Sequence, residues 1–160
     1  MKGVSQLMLD KISKEQFLSM NAISEIDVEI EKGLIEAYRT KCADKLEEFI
    51  YLTFVYEVFE IKYADVLNEL LISDWHYQHE NIVLLLQRIS SVESLEYLYN
   101  AMDLHLQYLE WDDNYAFEVK CVRAIYQIGK EKSVPYLKEL CRHPNSIIRK
   151  TAQRQIEKMV

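Results

Sequence analysis

The stretch 74–102 recurs 39 positions later as 113–141, and most of its apolar and turn positions are reused. Ile89 corresponds to Ile128, and Leu98 corresponds to Leu137. In each copy, one apolar pattern of helical spacing is followed, after a short polar break, by a second one. Self-similarity with a period of roughly 20–50 residues is typical of stacked helical hairpins. The repeat therefore predicts pairs of antiparallel helices.

The pattern extends in both directions, which gives three hairpins. Val66 to Leu71 resembles Tyr136 to Cys141, and the last helix repeats the apolar spacing of 121–128 after 31 residues. The offset between the two helices of a hairpin is 16 residues in the first and third hairpins and 24 in the second. The second hairpin therefore carries an insertion of eight residues around 104–112. We predict one domain over 1–160, with degenerate N-terminal helices over 1–61 and hairpins over 62–90, 91–129 and 130–160.

Composition agrees with helices rather than sheets, because the chain has three Gly, two Pro and 49% apolar residues. The predicted fold class is all-α. The cysteines are odd in number, and two of the three occupy apolar helix positions, so we expect reduced structural thiols. The longest uncharged apolar run, 49–56, is far shorter than the roughly 20 residues of a membrane span. We expect a cytoplasmic protein that does not contact a membrane.

Charge is divided unevenly along the chain. Residues 1–118 carry 9 basic and 23 acidic side chains, whereas residues 119–160 carry 10 basic and 3 acidic ones. An acidic body repels phosphate backbones and attracts a basic partner, so we expect a basic protein partner and no nucleic acid. Ordinary solvated helix faces are an equally good interpretation of these charges.

Local signals place several helix ends. Ser13 with Gln16, and Asp44 with Glu47, fit capping boxes. Ser73 or Asp74 is expected to cap the second helix of the first hairpin, and Asp113 or Asn114 the corresponding helix of the second. Gly129 is expected to end that helix in a left-handed conformation, and Pro135 to lie in the first turn of the next helix.

The 31-residue spacing, the paired helices, and Ile148-Arg149 followed by apolar residues at 152, 156 and 159 resemble HEAT-like repeats. The resemblance implies a right-handed α-solenoid of antiparallel helical hairpins. Only Ile148-Arg149 keeps the apolar–Arg pair of these repeats, whereas Gln78-His79 and Phe117-Glu118 depart from it. Segments 74–80 and 108–113 further resemble small bacterial HEAT-like immunity proteins, which are encoded beside polymorphic or contact-dependent growth inhibition toxins.

Candidate catalytic and metal-binding patterns are weak. Three scattered glycines cannot form a phosphate-binding loop. His76, His79 and Glu80 have a spacing that could hold a metal, but no further His or Cys follows at ligand spacing, so exposed histidines or partner contacts are favoured. The carboxylates of 110–113 could act as acid and base, although a helix cap with solvated loop charges explains them better. We therefore expect no enzyme, no catalytic residue, no cofactor and no metal.

Aromatic and acidic residues gather at the turns inside the first two hairpins, and such turns lie along one edge of a stacked array. We predict that they form a partner-binding rim. Its members are Trp75, His76, Tyr77, His79, Glu80, Tyr108, Glu110, Trp111, Asp112, Asp113 and Tyr115. Packing between hairpins explains Trp75 equally well, but Trp111 lies in the insertion, where burial in the repeat explains it less well.

Resemblance, charge and the rim together favour an immunity protein that neutralises a toxin domain, with a nuclease favoured, by masking its basic active-site surface. The alternative is a general HEAT-like scaffold for protein binding. A HEAT-like DNA glycosylase is a third hypothesis, and the acidic body argues against it.

Overall fold

The structure, a computed structural model, describes residues 1–159. Helices account for the regular structure of these residues, and no strand occurs among them, so the all-α prediction is confirmed. The ten α-helices within the described range are α1 Val4–Met8, α2 Lys14–Met20, α3 Ile26–Thr40, α4 Ala43–Tyr56, α5 Ala64–Leu71, α6 His79–Ile89, α7 Ser94–Ala101, α8 Ala116–Gly129, α9 Val134–Leu140 and α10 Ser146–Glu157. Short 3-10 helices span Ile61–Tyr63, Gln107–Leu109 and Lys130–Ser133. None of the helices described in residues 1–159 has the length and apolar character needed to cross a bilayer.

The chain divides into two compact units, Met1–Val58 and Phe59–Val160. In the first unit, α3 packs along α4, and α1 contacts α2. Gly33 lets the Phe49 ring lie directly on the α3 backbone, because a Cβ at that position would collide with the ring. Phe17, Ile30 and Leu46 are fully buried in this unit. The α3–α4 pair and the Phe17 side chain of α2 therefore form its core.

The predicted caps of the first unit have different outcomes. Ser13 and Gln16 form the predicted capping box, each side chain bonding the other residue's backbone N–H. The capping box predicted at Asp44 and Glu47 is wrong. Cys42 is the N-cap of α4 and makes no side-chain cap bond, while Asp44 already lies in the first turn, where its charge suits the helix dipole.

In the second unit, the helices pair as α5 with α6, α7 with α8, and α9 with α10. Successive pairs also touch, because α7 contacts α5, and α8 contacts both α6 and α10. Each predicted hairpin range thus contains two described helices, and Val160, the end of the third range, lies outside the described residues. Ile82, Cys121 and Ala152, which the repeat predicts at one inward position, are all fully buried.

Helix boundaries in this unit differ from the predicted ones. Helix α6 begins at His79 rather than after Ser73 or Asp74, and its N-cap Gln78 makes no side-chain cap bond. Gly129 has φ −82°, and Lys130 is the residue with positive φ, 48°. A Cβ at position 129 would lie 2.8 Å from the Ser133 side chain, so close packing rather than a left-handed turn requires this glycine. Pro135 does lie in the first turn of α9, as predicted.

The insertion of the second hairpin forms a loop. Helix α7 ends at Ala101, before the insertion, and α8 begins only at Ala116. Between them lie turns and the 3-10 helix Gln107–Leu109. The extra residues therefore extend the connection rather than α7, and they present their side chains next to the N-terminus of α8.

Candidate functional site

One partly buried polar contact connects the loop between α7 and α8 to the start of α6. The Tyr108 hydroxyl lies 2.8 Å from His79 Nδ1, and the Tyr108 ring meets the Tyr77 ring edge-on with centroids 5.2 Å apart. Leu106 beside them is 7% exposed and so anchors the loop by burial. The α5–α6 turn and the inserted loop therefore form one continuous surface, as the predicted rim requires.

His76 and His79 lie beneath this surface, and the expectation that they are exposed is wrong. Their side chains are 1% and 0% exposed, and their rings stack with centroids 4.3 Å apart. His76 Nε2 is 2.8 Å from the carbonyl of Leu70, and His79 Nε2 is 2.7 Å from the carbonyl of Ser73. The Leu70 carbonyl also accepts from the backbone N–H of Ser73 at 3.0 Å, so His76 adds a second donor to it. Both buried rings are thus held by backbone acceptors, as buried polar groups usually are.

The remaining ring nitrogens fix the protonation of the pair. His76 Nδ1 accepts from the backbone N–H of Gln78 at 3.1 Å, so it carries no proton and Nε2 is the donor. Burial lowers the pKa of His76, and burial together with its neighbour His76 lowers the pKa of His79 to about 4. Both imidazoles are therefore neutral near pH 7. The Tyr108 hydroxyl accordingly donates a hydrogen bond to His79 Nδ1. Burial raises the pKa of Tyr108 to about 12.

The histidines do not build a metal site. All four of their ring nitrogens already have partners, and the third candidate ligand, Glu80, forms an ion pair with Lys120 at 3.2 Å. Within residues 1–159, no group of three His, Cys, Asp or Glu side chains is arranged to hold a metal ion.

The outer part of the surface is aromatic and strongly exposed. Trp111 is 92% exposed and Tyr77 is 71% exposed, and Tyr115 is exposed as well. Trp75 is half-buried and meets the His76 ring edge-on, with centroids 4.9 Å apart. An exposed aromatic patch rimmed by polar side chains is a feature of interaction sites.

The carboxylates of the loop have different roles. Asp112 accepts hydrogen bonds from the backbone N–H groups of Asn114 and Ala116 at 3.0 and 2.7 Å, so it caps the start of α8. The predicted cap at Asp113 or Asn114 is therefore wrong by one or two positions. Glu110 and Asp113 remain exposed on either side of Asp112.

A cleft of about 150 Å³ opens between the loop and the start of α8. Carboxylates line its rim and apolar side chains line its floor: Glu110, Asp112, Asp113 and Glu118, with Leu106, Leu109 and Phe117. Burial raises the pKa of Glu118, and the nearby carboxylate of Asp112 adds to the effect. The cleft offers hydrogen-bond acceptors and negative charge over an apolar base, which suits a basic side chain with an aliphatic stem.

Sequence analysis missed three residues that shape this region. Phe117 is 2% exposed and meets the His79 ring edge-on, Glu118 lines the cleft, and Lys120 pairs with Glu80. The repeat of 39 aligns Glu80 with Val119 and not with Lys120, so the repeat alone did not indicate this ion pair. The position of Glu118 depends on the path of the inserted loop, which the repeat does not specify.

We call the exposed residues Tyr77, Glu110, Trp111, Asp113 and Tyr115 the acidic–aromatic surface, and His76, His79, Tyr108 and Phe117 its support. The two groups correspond to the exposed and the less accessible parts of one region.

In comparisons with known proteins, no family model, no curated protein and no solved structure matched this chain.

Proposed function

We propose that the acidic–aromatic surface binds a protein whose contacting face is basic. The exposure of Trp111, 92% on a loop that the other two hairpins lack, is the observation that carries this proposal. Tryptophan is the residue most enriched among binding hot spots, because its indole desolvates a large area at small cost in conformational entropy. An indole left in water gives no such gain, so a partner that covers it accounts for its position.

Charge selects the class of partner. Glu110 and Asp113 flank Trp111 and are exposed, and the cleft beside them adds Glu118. Lysine or arginine side chains of a partner would pair with these carboxylates around the indole. Nuclease domains carry such basic faces because they bind phosphates. Together with the resemblance of segments 74–80 and 108–113, this supports a cytoplasmic immunity protein that neutralises a toxin nuclease by masking its basic active-site surface.

The support makes the surface suitable for tight binding. The hydrogen bond from Tyr108 to His79 and the edge contact with Tyr77 hold the loop on the α5–α6 turn. Asp112 fixes the loop at its other end by capping α8. A loop held at both ends loses less conformational entropy on binding, so more of the contact free energy contributes to affinity.

We also infer that the three hairpins of the second unit stack as a right-handed, HEAT-like α-solenoid. The contacts of α8 with α6 and α10, and of α7 with α5, support this, because neighbouring repeats of a solenoid touch through equivalent helices. In such a stack the turns inside successive hairpins share one edge, which is where the acidic–aromatic surface would lie. A crystal structure in which the second unit coils with left-handed connections would contradict it.

Replacing Trp111 tests the binding proposal. Trp111→Ala should weaken binding of the partner by about 2–4 kcal/mol. The melting temperature of the variant should stay close to that of the wild type, because the Trp111 side chain contacts mostly solvent. Tyr38→Ala removes another exposed aromatic side chain, on α3, and serves as the control that should leave affinity unchanged. A large thermal loss with intact affinity would show that Trp111 supports the fold instead of binding.

The partner itself can be sought through the adjacent gene. Co-expression of the tagged chain with the product of the neighbouring gene should yield a stable complex, and nuclease activity of that product should fall on addition of the chain. If the neighbouring product neither binds nor cleaves nucleic acid, a general protein-binding scaffold becomes the better interpretation.

A further inference from the structure

The second helices of the three hairpins expose adjoining stripes that the acidic–aromatic surface does not include. Side chains bridge α6 and α8 at two points, with the Glu80–Lys120 ion pair at 3.2 Å and a 3.3 Å hydrogen bond from Gln87 to Gln127. The bridge between α8 and α10 is the Lys158 ammonium, 5.7 Å from the Tyr126 ring centroid. These contacts place the exposed sides of α6, α8 and α10 next to one another.

Helical spacing then identifies what lies between the bridges. Leu84 is four residues after Glu80 on α6, and Arg123 is three residues after Lys120 on α8, so both project between the two α6–α8 contacts. On α10, Arg154 and Lys150 precede Lys158 by one and two turns. We define these positions as the basic face: Leu84, Arg123, Tyr126, Lys150, Arg154 and Lys158.

The cations of this face lack acidic partners. Arg123, Lys150 and Arg154 are exposed, and among residues 1–159 no carboxylate lies within ion-pair distance of them. Acidic residues are rare on these helices. Residues 119–129 of α8 contain none, and α10 contains only Glu157. Like charges held together without counterions oppose folding, so a bound anion would relieve an unfavourable interaction.

We propose that the basic face binds an acidic segment of a protein partner, one that carries carboxylates and at least one apolar side chain. Arginine pairs with carboxylates through two parallel hydrogen bonds, and two arginines stand on neighbouring helices here. Leu84 is 38% exposed and Tyr126 is half-buried, so the face also offers apolar contacts between its cations. Carboxylates alternating with apolar side chains complement that mixture.

The size and surroundings of the face favour a short peptide segment over nucleic acid. Neighbouring helices are about 8–10 Å apart, so the three stripes span about 20 Å, the length of roughly six extended residues. The α8 end of this region leads to Glu110, Asp112 and Asp113, whose charges would repel a continuous phosphate backbone. This binding does not rest on the proposed function, since it uses other helices and the opposite charge.

A labelled peptide provides the test. Fluorescence anisotropy at low ionic strength would measure binding of a fluorescein-labelled peptide of four Glu-Glu-Leu repeats to the full chain. The double variant Arg123→Glu/Arg154→Glu should bind at least about tenfold more weakly than wild type, because attraction becomes repulsion at the centre of the face. The control Lys138→Glu/Arg142→Glu makes the same change in net charge at exposed positions on and just after α9, and it should change affinity by less than about twofold.

Several outcomes would overturn the proposal: no binding of the peptide to wild type, an equal loss in both double variants, or tighter binding of single-stranded DNA of the same net charge. The last result would identify nucleic acid as the ligand. If the charge reversals disturb folding, as seen in circular dichroism, Arg123→Gln/Arg154→Gln removes the same charges more gently and should still weaken binding. Trp111→Ala should leave peptide affinity unchanged, so failure of one surface is distinguishable from failure of the other.

Discussion

Every ring nitrogen of His76 and His79 has a hydrogen-bond partner within the chain, which gives these residues a structural role. Two of those partners are the backbone carbonyls of Leu70, in the last turn of α5, and of Ser73, just beyond that helix, and a third is the hydroxyl of Tyr108. A buried polar network of this kind is favourable only while every member is satisfied. The pair therefore connects the end of one helix to the inserted loop rather than binding a ligand.

Acid should destabilise the protein through this pair. The pKa of His79 is about 4 in the folded chain and about 6.5 when unfolded, so the unfolded state binds the extra proton between these values. The stability is complete above pH 6.5 and declines as pH falls towards 4, by about 2–3 kcal/mol for this residue. Urea unfolding at pH 7 and pH 4.5 measures the loss. The loss of stability between pH 7 and pH 4.5 should be smaller in His79→Gln than in wild type. It should be unchanged in His105→Gln, at an exposed position.

Cys121 tests the register of α8. Its side chain is fully buried, and burial raises the pKa of its thiol, so it acts as a neutral, packed group. Cys121→Ser should lower the free energy of unfolding by about 1–3 kcal/mol, because a buried hydroxyl costs more to desolvate than a thiol. Cys141→Ser, at a half-buried site, should cost less. Unchanged stability of Cys121→Ser in denaturant titrations would mean that α8 is rotated from this orientation.

At the scale of elements, the start of α8 depends on a residue outside the helix. Tyr115 at the N-cap has positive φ, 53°, and makes no side-chain cap bond, so Asp112 supplies the acceptors from three residues further back. The same residue thus ends the inserted loop and begins the helix. Asp112 therefore links the acidic–aromatic surface to the start of α8.

Asp112→Ala should therefore cost about 1 kcal/mol of stability, the usual effect of losing an N-cap. The two carboxylate oxygens accept from different N–H groups, so Asp112→Asn keeps one acceptor and should recover only part of that loss. Asp113→Ala, at an exposed neighbour, should have almost no effect. Melting temperatures of the three variants decide the matter. Equal losses from both alanine variants would show that loop charge, and not the cap, stabilises α8.

What could be predicted from sequence follows from what the repeat specifies. Apolar periodicity identified the inward positions of α6, α8 and α10, because burial of one helix face is what the pattern encodes. Helix starts were harder to predict, since Gln78 and Tyr115 at the N-cap positions make no cap bond of their own, and the cap of α8 comes from Asp112, three residues before its N-cap. The candidate site divided in the same way: the exposure of Trp111 agrees with its place in the insertion, but carbonyls that no motif marks drew the histidines inward.

At the scale of the whole molecule, charge is distributed over distinct surfaces and not blended. The acidic–aromatic surface lies on the α5–α6 turn and on the loop before α8, and the basic face lies on α6, α8 and α10. Carboxylates and cations on one face would neutralise each other's fields, whereas separation lets each attract its own partner. A net charge of −7 adds a long-range preference for basic partners.

Binding of the basic partner should consequently depend strongly on ionic strength. Charges on exposed surfaces act over about a Debye length, roughly 10 Å at 0.1 M salt, and they speed association more than they slow dissociation. We expect Glu110→Lys and Asp113→Lys to lower the association rate by about tenfold at low salt and to change the dissociation rate much less. Asp65→Lys, an exposed charge reversal on α5, is the matched control for the change in net charge. Stopped-flow kinetics at low and high salt would separate the two rates. If neither salt nor the two charge reversals changed the association rate, the carboxylates would not contribute to recognition. The indole of Trp111 would then be its basis.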